Sequence, residues 1–493
     1  MTYSYWVLAR ALLPEMTLIL GALIVLGYDL LRAKMHTPEE RRSAALLIGA
    51  TAVLAALIDS VFVGQLGPVY GFTLVLDSLA VPTRTAVLGL TLLTLGVSAG
   101  ARLMRHPAEY VAILLFATVG FTLMCAAHQL LVAFVSLELA SLSLYVLAGF
   151  AKDRRESAEA ALKYFLFGGM AAAFLLFGFS LIYGVTGELD LTRIAFTVAH
   201  TVADAPMSPL LALALVMVLV AFGFKAAAAP FHLWAPDAYE GAPTPSAALI
   251  ASASKVAGFT LFLRLLWPGL GPLAGDISTM GNTGGWQTLV ALMAAASMLL
   301  GNFVALAQTN IRRLLAYSAI SHSGAMLLGV LAWQMGGLGP VFYYMATYGL
   351  ATVGAFGVVA VLEANGGCDR ITDLAGLSRR SPLLAGTLTV FILSLAGIPP
   401  LAGFFGKFAV FAAALRIGGV AGPAGWLALL AIALSAVALY YYLIVLKQAL
   451  VAAPKPERAA VVRVPLAAAL ALLAAAAGIL YLGLFPSVVL DLF

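Results

Sequence analysis

Residues 222–259 read FGFKAAAAPFHLWAPDAYEGAPTPSAALIASASKVAGF, and this stretch decides the architecture. Lys225 directly follows the apolar run LLALALVMVLVAFGF. A helix that faces lipid would not carry a charge at this position. Pro230 follows, and a proline inside a helix removes a backbone hydrogen bond and clashes with the preceding turn. The pattern predicts a helix that breaks between Lys225 and Pro230. Lys255 lies inside the next apolar segment, and a buried cation beside a broken helix suits ion or proton movement.

The composition is that of an integral membrane protein. Of 493 residues, 63% are hydrophobic and 10% are charged, whereas a soluble domain of this length needs far more polar surface. The net charge of +5 lies mostly in short loops and does not indicate nucleic-acid binding. Cys125 and Cys368 lie far apart, which excludes a cysteine-ligated iron–sulfur or zinc site within this chain. We expect no metal and no cofactor, because no haem, flavin or nucleotide motif is present.

Apolar runs of spanning length predict an all-α membrane protein with about fourteen transmembrane helices, the twelfth of them interrupted. They lie at 11–31, 43–63, 77–100, 108–126, 129–150, 159–184, 208–229, 246–267, 286–307, 312–333, 338–363, 382–416, 424–448 and 464–486.

Loop charge predicts the orientation. Basic residues concentrate in the loops after odd-numbered spans, at Arg32, Lys34, Arg41, Arg42, Arg102, Arg105, Lys152, Arg154, Arg155, Arg312, Arg313, Arg370, Arg379, Arg380, Lys455, Arg458 and Arg463. The positive-inside rule makes these loops cytoplasmic and both termini periplasmic in a bacterial inner membrane. The loop after the seventh span is an exception, since it holds Asp237 and Glu240 but no Lys or Arg.

Two units of five spans repeat, at 108–267 and 287–450. They follow an N-terminal three-helix segment at 1–107 and precede a last helix at 464–486. The fourth span of each unit is interrupted by proline, in the second unit by Pro399 and Pro400 within SLAGIPPLAGFFGKF. An odd number of spans gives the units opposite topology, and paired broken helices are typical of inverted-repeat transporters, in which they mark the ion site.

Six ionisable residues at membrane depth are candidate proton-translocation groups. Glu138 lies in the middle of a span, where a charge costs about 2.5–3.5 kcal/mol on insertion scales; the alternative is a carboxyl that holds helices together through Ser or Thr hydroxyls. Lys163 on the following span is its expected partner, with snorkelling to the nearby loop as the alternative. Lys225, Lys255 and Lys407 have apolar sequence on both sides, and Lys225 and Lys407 flank the breaks.

His322 on the tenth span, in AYSAISHSGAML, lies between the two broken helices in chain order. A side chain that titrates near neutrality suits a relay between lysines, although a lone buried histidine is more often a hydrogen-bonded core residue. Glu15 and Asp77, near the ends of apolar runs, are expected to be helix-end or interhelical groups.

These motifs resemble a known family. The segments FHLWAPDAYEGAPTPSAALIASASKVAGF, RRLLAYSAISHSGAMLLG and AGIPPLAGFFGKF are together similar to the antiporter-like membrane subunits of proton-pumping NADH:quinone oxidoreductase, respiratory complex I. The resemblance implies that Glu138 and Lys163 form the Glu–Lys pair of the family. It also implies that Lys225 and Lys407 are the lysines of the two broken helices, with Lys255 and His322 along the axis between them.

The resemblance further implies a translocase subunit without a redox centre. NADH, FMN, iron–sulfur clusters and quinone would then bind to partner subunits, and this chain would contact other membrane subunits, the peripheral redox arm and lipid. Protons are expected to enter toward Lys225 and to leave by Lys407. Two alternatives are a subunit of a multi-chain cation/proton antiporter, which shares the fold and the lysines, and a membrane scaffold that conducts nothing.

Overall fold

The chain folds into a helical bundle, and the computed structural model describes it over residues 4–32, 37–101, 106–203, 207–278, 284–454 and 460–492. Of the basic loop residues named above, Lys34, Arg102, Arg105, Lys455 and Arg458 lie outside the described residues.

The N-terminal part contains three long helices and a small hairpin. Its elements are α1 (Tyr5–Ala11), α2 (Leu13–Arg32), α3 (Pro38–Val63), β1 (Gly67–Val69), β2 (Leu74–Leu76) and α4 (Ala80–Ser98). The start of α3 follows from its sequence, because Thr37 and Glu40 form a capping box and Pro38 needs no hydrogen-bond acceptor in the first turn. The antiparallel hairpin β1–β2 was not expected from the apolar pattern.

The range expected to form the first five-span unit contains two shorter helices in addition to its spans. Its elements are α5 (Pro107–Ala126), α6 (Leu130–Ala148), α7 (Arg155–Thr186), α8 (Leu191–Ala203), α9 (Pro209–Ala226), α10 (Trp234–Gly241), α11 (Thr244–Ala251) and α12 (Ala253–Arg264), with a π-turn at Leu265–Gly269 and a 3₁₀ turn at Gly271–Leu273. The amphipathic α8 lies between the sixth and seventh spans. A kink at Ser252 separates α11 from α12 and lies three residues before Lys255.

The next elements lie in the range expected to form the second unit. Its elements are α13 (Trp286–Leu306), α14 (Ile311–Leu331), a 3₁₀ turn at Trp333–Met335, α15 (Leu338–Ala364), a 3₁₀ turn at Ile371–Leu374, α16 (Leu377–Arg380), α17 (Pro382–Ala396), α18 (Ala402–Leu415) and α19 (Pro423–Leu450). The helices α20 (Leu466–Leu484) and α21 (Ser487–Leu490) complete the described chain.

The expected number of spans is confirmed. Within the described ranges, 13 helices are long and apolar enough to cross a membrane, with α11, α12 and the π-turn counted as one span, Thr244–Gly269. The remaining span is the interrupted one, which forms the shorter helices α17 and α18. Arg154 directly precedes α7, and Arg155, Arg312 and Arg313 lie in the first turns of α7 and α14. We call this end of the bundle the basic side.

Both broken helices end in the same way. After α9, the N–H of Ala228 donates to the carbonyl of Gly223, and after α17 the N–H of Ile398 donates to the carbonyl of Leu393. This six-to-one bond is the Schellman pattern, in which the residue after the last helical one is left-handed. Ala227 fills that position at φ 53° in the first break. Pro230 lies within the first interruption, and Pro399 and Pro400 lie within the second.

Candidate functional site

Four of the predicted site residues are buried in the bundle. Lys225, Lys255, His322 and Lys407 expose between 3% and 9% of their surface. A lysine without partners is costly at that depth, because its charge loses hydration. The hydrogen-bond partners of each side chain therefore define what the site can do.

Lys225 reaches from α9 to α6. Its Nζ donates to the Oγ of Ser141 at 3.3 Å. Ser141 lies one helical turn after Glu138 on the same face of α6, and the charges of Glu138 and Lys225 attract each other. Within the described residues, Glu138 Oε1 has no hydrogen-bond partner. Lys225, rather than Lys163, is therefore the cation associated with Glu138.

Lys255 connects α12 to α14 and to the first break. Its Nζ donates to the carbonyl of Ala319 and to Ser323 Oγ, both at 2.6 Å. The hydroxyl of Ser323 lies 2.6 Å from the carbonyl oxygen of Ala226, the last residue of α9. The C-terminal end of a helix is a region of negative potential. Lys255 is therefore linked through one hydroxyl to the residue that follows Lys225.

Tyrosines surround His322 on α14. Its Nδ1 lies 2.8 Å from the hydroxyl of Tyr344, and its Nε2 lies 3.1 Å from the hydroxyl of Tyr442. The ring of Tyr348 lies 5.0 Å from the histidine ring, and Lys255 Nζ lies 5.3 Å from the centre of the same tyrosine ring. Tyr348 therefore packs between Lys255 and His322, and hydroxyls contact both ring nitrogens of the histidine.

Lys407 on α18 turns back to the second break. Its Nζ donates to the carbonyl of Ala396 at 3.0 Å, the last residue of α17. A cavity of about 20 Å³ lies between Lys407 and His322 and is also lined by Tyr344 and Asn302. That volume accommodates about one water molecule. Each broken helix thus directs its last carbonyl toward the polar axis, Ala226 through Ser323 and Ala396 directly to Lys407.

The predicted pairing of Glu138 with Lys163 is wrong in this structure, and the register of two helices explains why. Gly149, the residue after α6, packs against Ala161 of α7, where an added Cβ would lie 2.8 Å from the alanine Cβ. Lys163 is therefore level with about Leu147, and Glu138 lies about 14 Å further along α6 at about 1.5 Å per residue. Side chains lean toward the N-terminus of their helix, so these two lean apart.

Lys163 instead joins a charge cluster on the basic side. Its Nζ lies 2.7 Å from Glu159 and 2.6 Å from Asp237 on α10. Asp237 also accepts from Arg313 Nη1 at 2.7 Å, and the same nitrogen contacts Glu240 at 2.8 Å. Burial alone would raise the pKa of the Asp237 carboxyl, but the hydrogen bonds from Lys163 and Arg313 hold it below its ordinary value of 3.8.

The hydroxyls of the axis carry no clear signal in the sequence. Ser323, Tyr344, Tyr348 and Tyr442 are ordinary residues of apolar spans when read one at a time. Tyr344 and Tyr348 are spaced by four and share a helix face, a weak signal that buried polar groups line one side of α15. Glu15 and Asp77 are confirmed as interhelical groups. Glu15 contacts Arg84 at 2.6 Å, and Asp77 contacts Arg264 at 2.6 Å and caps α4.

Two broken helices, buried lysines at both breaks and a polar axis between them define an antiporter-like integral membrane protein. Residues 127–446 match the family model described as "NADH:quinone oxidoreductase/Mrp antiporter, TM". The chain belongs to this family.

Relatives resemble the chain over nearly its whole length. A protein of Acidobacterium capsulatum named NADH-quinone oxidoreductase subunit N 2 is 47% identical and aligns over 99% of this chain and 98% of its own. A protein of Roseiflexus castenholzii named NADH-quinone oxidoreductase subunit N 1 is 38% identical, over 97% and 96%.

Solved structures share the fold. A chain of respiratory complex I from Thermus thermophilus with bound aureothin superposes with a TM-score of 0.77 at 33% identity and covers 97% of this chain and 98% of that one. A chain of the Mrp complex from Dietzia reaches a TM-score of 0.82 at 23% identity, with coverage of 99% and 96%. The second likeness concerns the fold alone.

Proposed function

We propose that this chain is subunit N, the proton-translocating antiporter-like membrane subunit of NADH:quinone oxidoreductase, respiratory complex I. Electron transfer from NADH to quinone takes place in partner subunits, and this chain converts the resulting signal into proton movement. The observation that carries the proposal is the series of polar groups from Glu138 through Lys225, Lys255 and His322 to Lys407, of which the last four are buried. The 47% identical relative supports the choice of subunit N.

The proton route follows the axis. A proton enters from the cytoplasm toward Lys225, passes along Lys255 and His322, and leaves toward the periplasm from Lys407. The hydroxyl of Ser323 at Lys255 and that of Tyr344 at His322 are available for proton transfer along this axis, because a hydroxyl can donate and accept in the same chain of hydrogen bonds. The carbonyl ends of α9 and α17 stabilise the charged state of a nearby lysine. Glu138 supplies the opposite charge that favours a proton on Lys225.

The proposal also covers the partners and the orientation of the chain. The basic side is cytoplasmic and both termini are periplasmic. NADH, FMN, iron–sulfur clusters and quinone bind to partner subunits, which include the peripheral redox arm and other membrane subunits. The units 108–267 and 287–450 supply the entry half and the exit half of the route. Lys163 takes part in proton translocation at the cytoplasmic end of the entry half.

A subunit of a multi-chain cation/proton antiporter remains the second candidate, because the Mrp complex chain has the same fold. Its identity of 23% is well below the 47% of the subunit N relative. Purification of the native complex separates the two. Co-purification with flavin and iron–sulfur subunits supports the first candidate, and their absence from an intact complex supports the second.

Replacing Lys225 and, separately, Lys407 by alanine in the assembled enzyme tests the function. Each change is expected to reduce NADH-driven proton pumping by about tenfold or more, since positioned proton-transfer groups contribute on the order of 10² to a rate. Lys152, an exposed loop lysine, is the matched control, and Lys152→Ala should pump normally. Near-normal pumping by both site variants would exclude the route. Altered assembly with unchanged coupling would favour the scaffold alternative.

A further inference from the structure

Four aromatic side chains form a layer on the cytoplasmic side of Lys225. The rings of Tyr164 and Trp234 are stacked, with centroids 4.3 Å apart and planes 3° from parallel. Tyr145 packs edge-on against Tyr164 at 4.8 Å, and Phe224 lies 5.0 Å from Trp234. The indole N–H of Trp234 donates to the carbonyl of Phe224 at 3.0 Å. We call these four residues the aromatic layer.

The aromatic layer adjoins Lys225 on its inner face. Phe224 directly precedes Lys225 in the chain. Tyr145 lies one turn after Ser141, the hydroxyl that accepts from Lys225. Tyr164 and Trp234 expose 1% and 3% of their surface. Apolar rings therefore lie between Lys225 and the cytoplasmic water.

An ion pair adjoins the outer face of the same layer. Lys163 precedes Tyr164 on α7, and Asp237 follows Trp234 by one turn on α10. The side chains of Lys163 and Asp237 are 38% and 29% exposed. Each partner of the ion pair is thus carried by the helix that carries one ring of the stack. The 2.6 Å contact holds α7 and α10 together where the rings meet.

The ion pair has a competitor on its own helix. Glu159 lies one turn before Lys163 and contacts its Nζ at 2.7 Å. If Lys163 keeps only Glu159, α10 loses its ionic contact with α7. The helix α10 has eight residues and follows the break after α9, so it can move without bending a continuous helix.

We propose that the Tyr164–Trp234 stack is a gate that closes the cytoplasmic access to Lys225, and that the Lys163–Asp237 ion pair is its latch. The proposal rests on the proposed function, because it assigns Lys225 as the group that receives the proton. Asp237 is a positioning residue in this scheme. Transfer of Lys163 from Asp237 to Glu159 releases α10, separates the rings and admits water to Lys225.

Cysteine labelling in the intact complex tests the gate. Ser141→Cys places a thiol at the inner face, in a background in which Cys125 and Cys368 are replaced by serine. Inverted membrane vesicles expose the cytoplasmic side to a charged, membrane-impermeant methanethiosulfonate. The labelling rate at residue 141 is then measured by mass spectrometry of this chain. Asp237→Asn should raise that rate about tenfold, which corresponds to about 1.4 kcal/mol of lost preference for the closed state.

The matched control is Glu240→Gln. Glu240 lies on α10 and contacts the same Arg313 nitrogen as Asp237, at 2.8 Å against 2.7 Å, but Lys163 contacts only Asp237 of the two. Its labelling rate should stay at the parent value. Lys163→Met breaks the latch from α7 and should give the same rise as Asp237→Asn, so the result does not depend on the folding of one variant. Asp237→Glu should restore protection.

Two results overturn the gate. One is a parent-like labelling rate in both Asp237→Asn and Lys163→Met. The other is an equal rise of the labelling rate in Glu240→Gln. That result would mean that the Lys163–Asp237 ion pair only helps to hold α10 in place, as the other charges on this helix do. Labelling needs no turnover, so failure of the gate is distinguishable from failure of the proposed function. The latter is decided by the proton pumping of the Lys225→Ala and Lys407→Ala variants.

Discussion

Ser323 Oγ accepts a hydrogen bond from Lys255 Nζ at 2.6 Å and lies 2.6 Å from the carbonyl oxygen of Ala226. One hydroxyl thus links the lysine of α12 to the end of the helix that carries Lys225. Three segments distant in the sequence meet at this single atom. A serine that carries no charge therefore holds Lys255 beside the end of α9.

Replacing Ser323 by alanine should impair pumping while the complex still assembles. A hydrogen bond to a charged group contributes about 1.5–3 kcal/mol, so NADH-driven pumping is expected to fall about tenfold. Ser143→Ala is the control, because that buried hydroxyl donates to Leu139 within its own helix. Equal pumping by the two variants would remove Ser323 from the route.

Tyr344→Phe removes the hydroxyl at His322 Nδ1. We expect the number of protons pumped per NADH to fall, since the ring nitrogen loses a partner 2.8 Å away. The adjacent Tyr343 is the control, as its hydroxyl donates to the carbonyl of Leu482 away from the axis. Tyr343→Phe should leave the ratio unchanged. A normal ratio in Tyr344→Phe would mean that His322 works without this hydroxyl.

Two glycines give the lysines room. A Cβ at Gly258 would lie 3.0 Å from Lys225 Cγ, and one at Gly397 would lie 3.0 Å from Lys407 Cδ. Gly258→Ala should displace Lys225 and lower pumping. Gly397→Ala should lower pumping and also the thermal stability of the complex, because its φ of 85° disfavours any side chain.

Gly386 provides the control for both changes, since a Cβ there meets nothing within 4 Å. The Gly386→Ala variant should equal the parent in proton pumping and in melting temperature. If Gly258→Ala does the same, Lys225 does not depend on that space.

The buried pair of Glu15 and Arg84 should matter for stability rather than for pumping. The two side chains are 4% and 3% exposed and 2.6 Å apart. Removing one partner leaves a buried charge, which costs about 3–5 kcal/mol. Glu15→Gln should therefore lower the melting temperature of the complex. Glu188→Gln, which removes an exposed contact to Arg193 at 3.6 Å, should change stability by about 0–1 kcal/mol. Similar melting temperatures of the Glu15→Gln and Glu188→Gln variants would contradict the expected difference between the buried and the exposed ion pair.

The features that could be predicted from the sequence are those that depend on neighbouring residues in the chain. Pro230, Pro399 and Pro400 predict interrupted helices because proline acts on its own turn, and both interruptions are present. The hairpin β1–β2 and the helix α8 were missed, since each is short and lies between stronger apolar signals. The kink at Ser252 has no proline to indicate it.

Contacts between helices were harder to predict. Glu138 and Lys163 look like partners because consecutive spans carry them, yet the register of α6 against α7 separates them. That register depends on where small residues such as Gly149 allow close approach, which one sequence does not reveal. Asp237 was noticed only as an exception to the loop charge, and its two cationic partners explain why a carboxylate is stable there.

The cavity between His322 and Lys407 has a consequence for ion selectivity. A metal cation keeps several oxygen ligands around it when it moves through water or protein. A space of about 20 Å³ holds about one such ligand. A sodium ion with its shell does not fit, whereas a proton needs only a donor, an acceptor and at most one molecule between them. The cavity between His322 and Lys407 therefore discriminates by size, before any charge takes part.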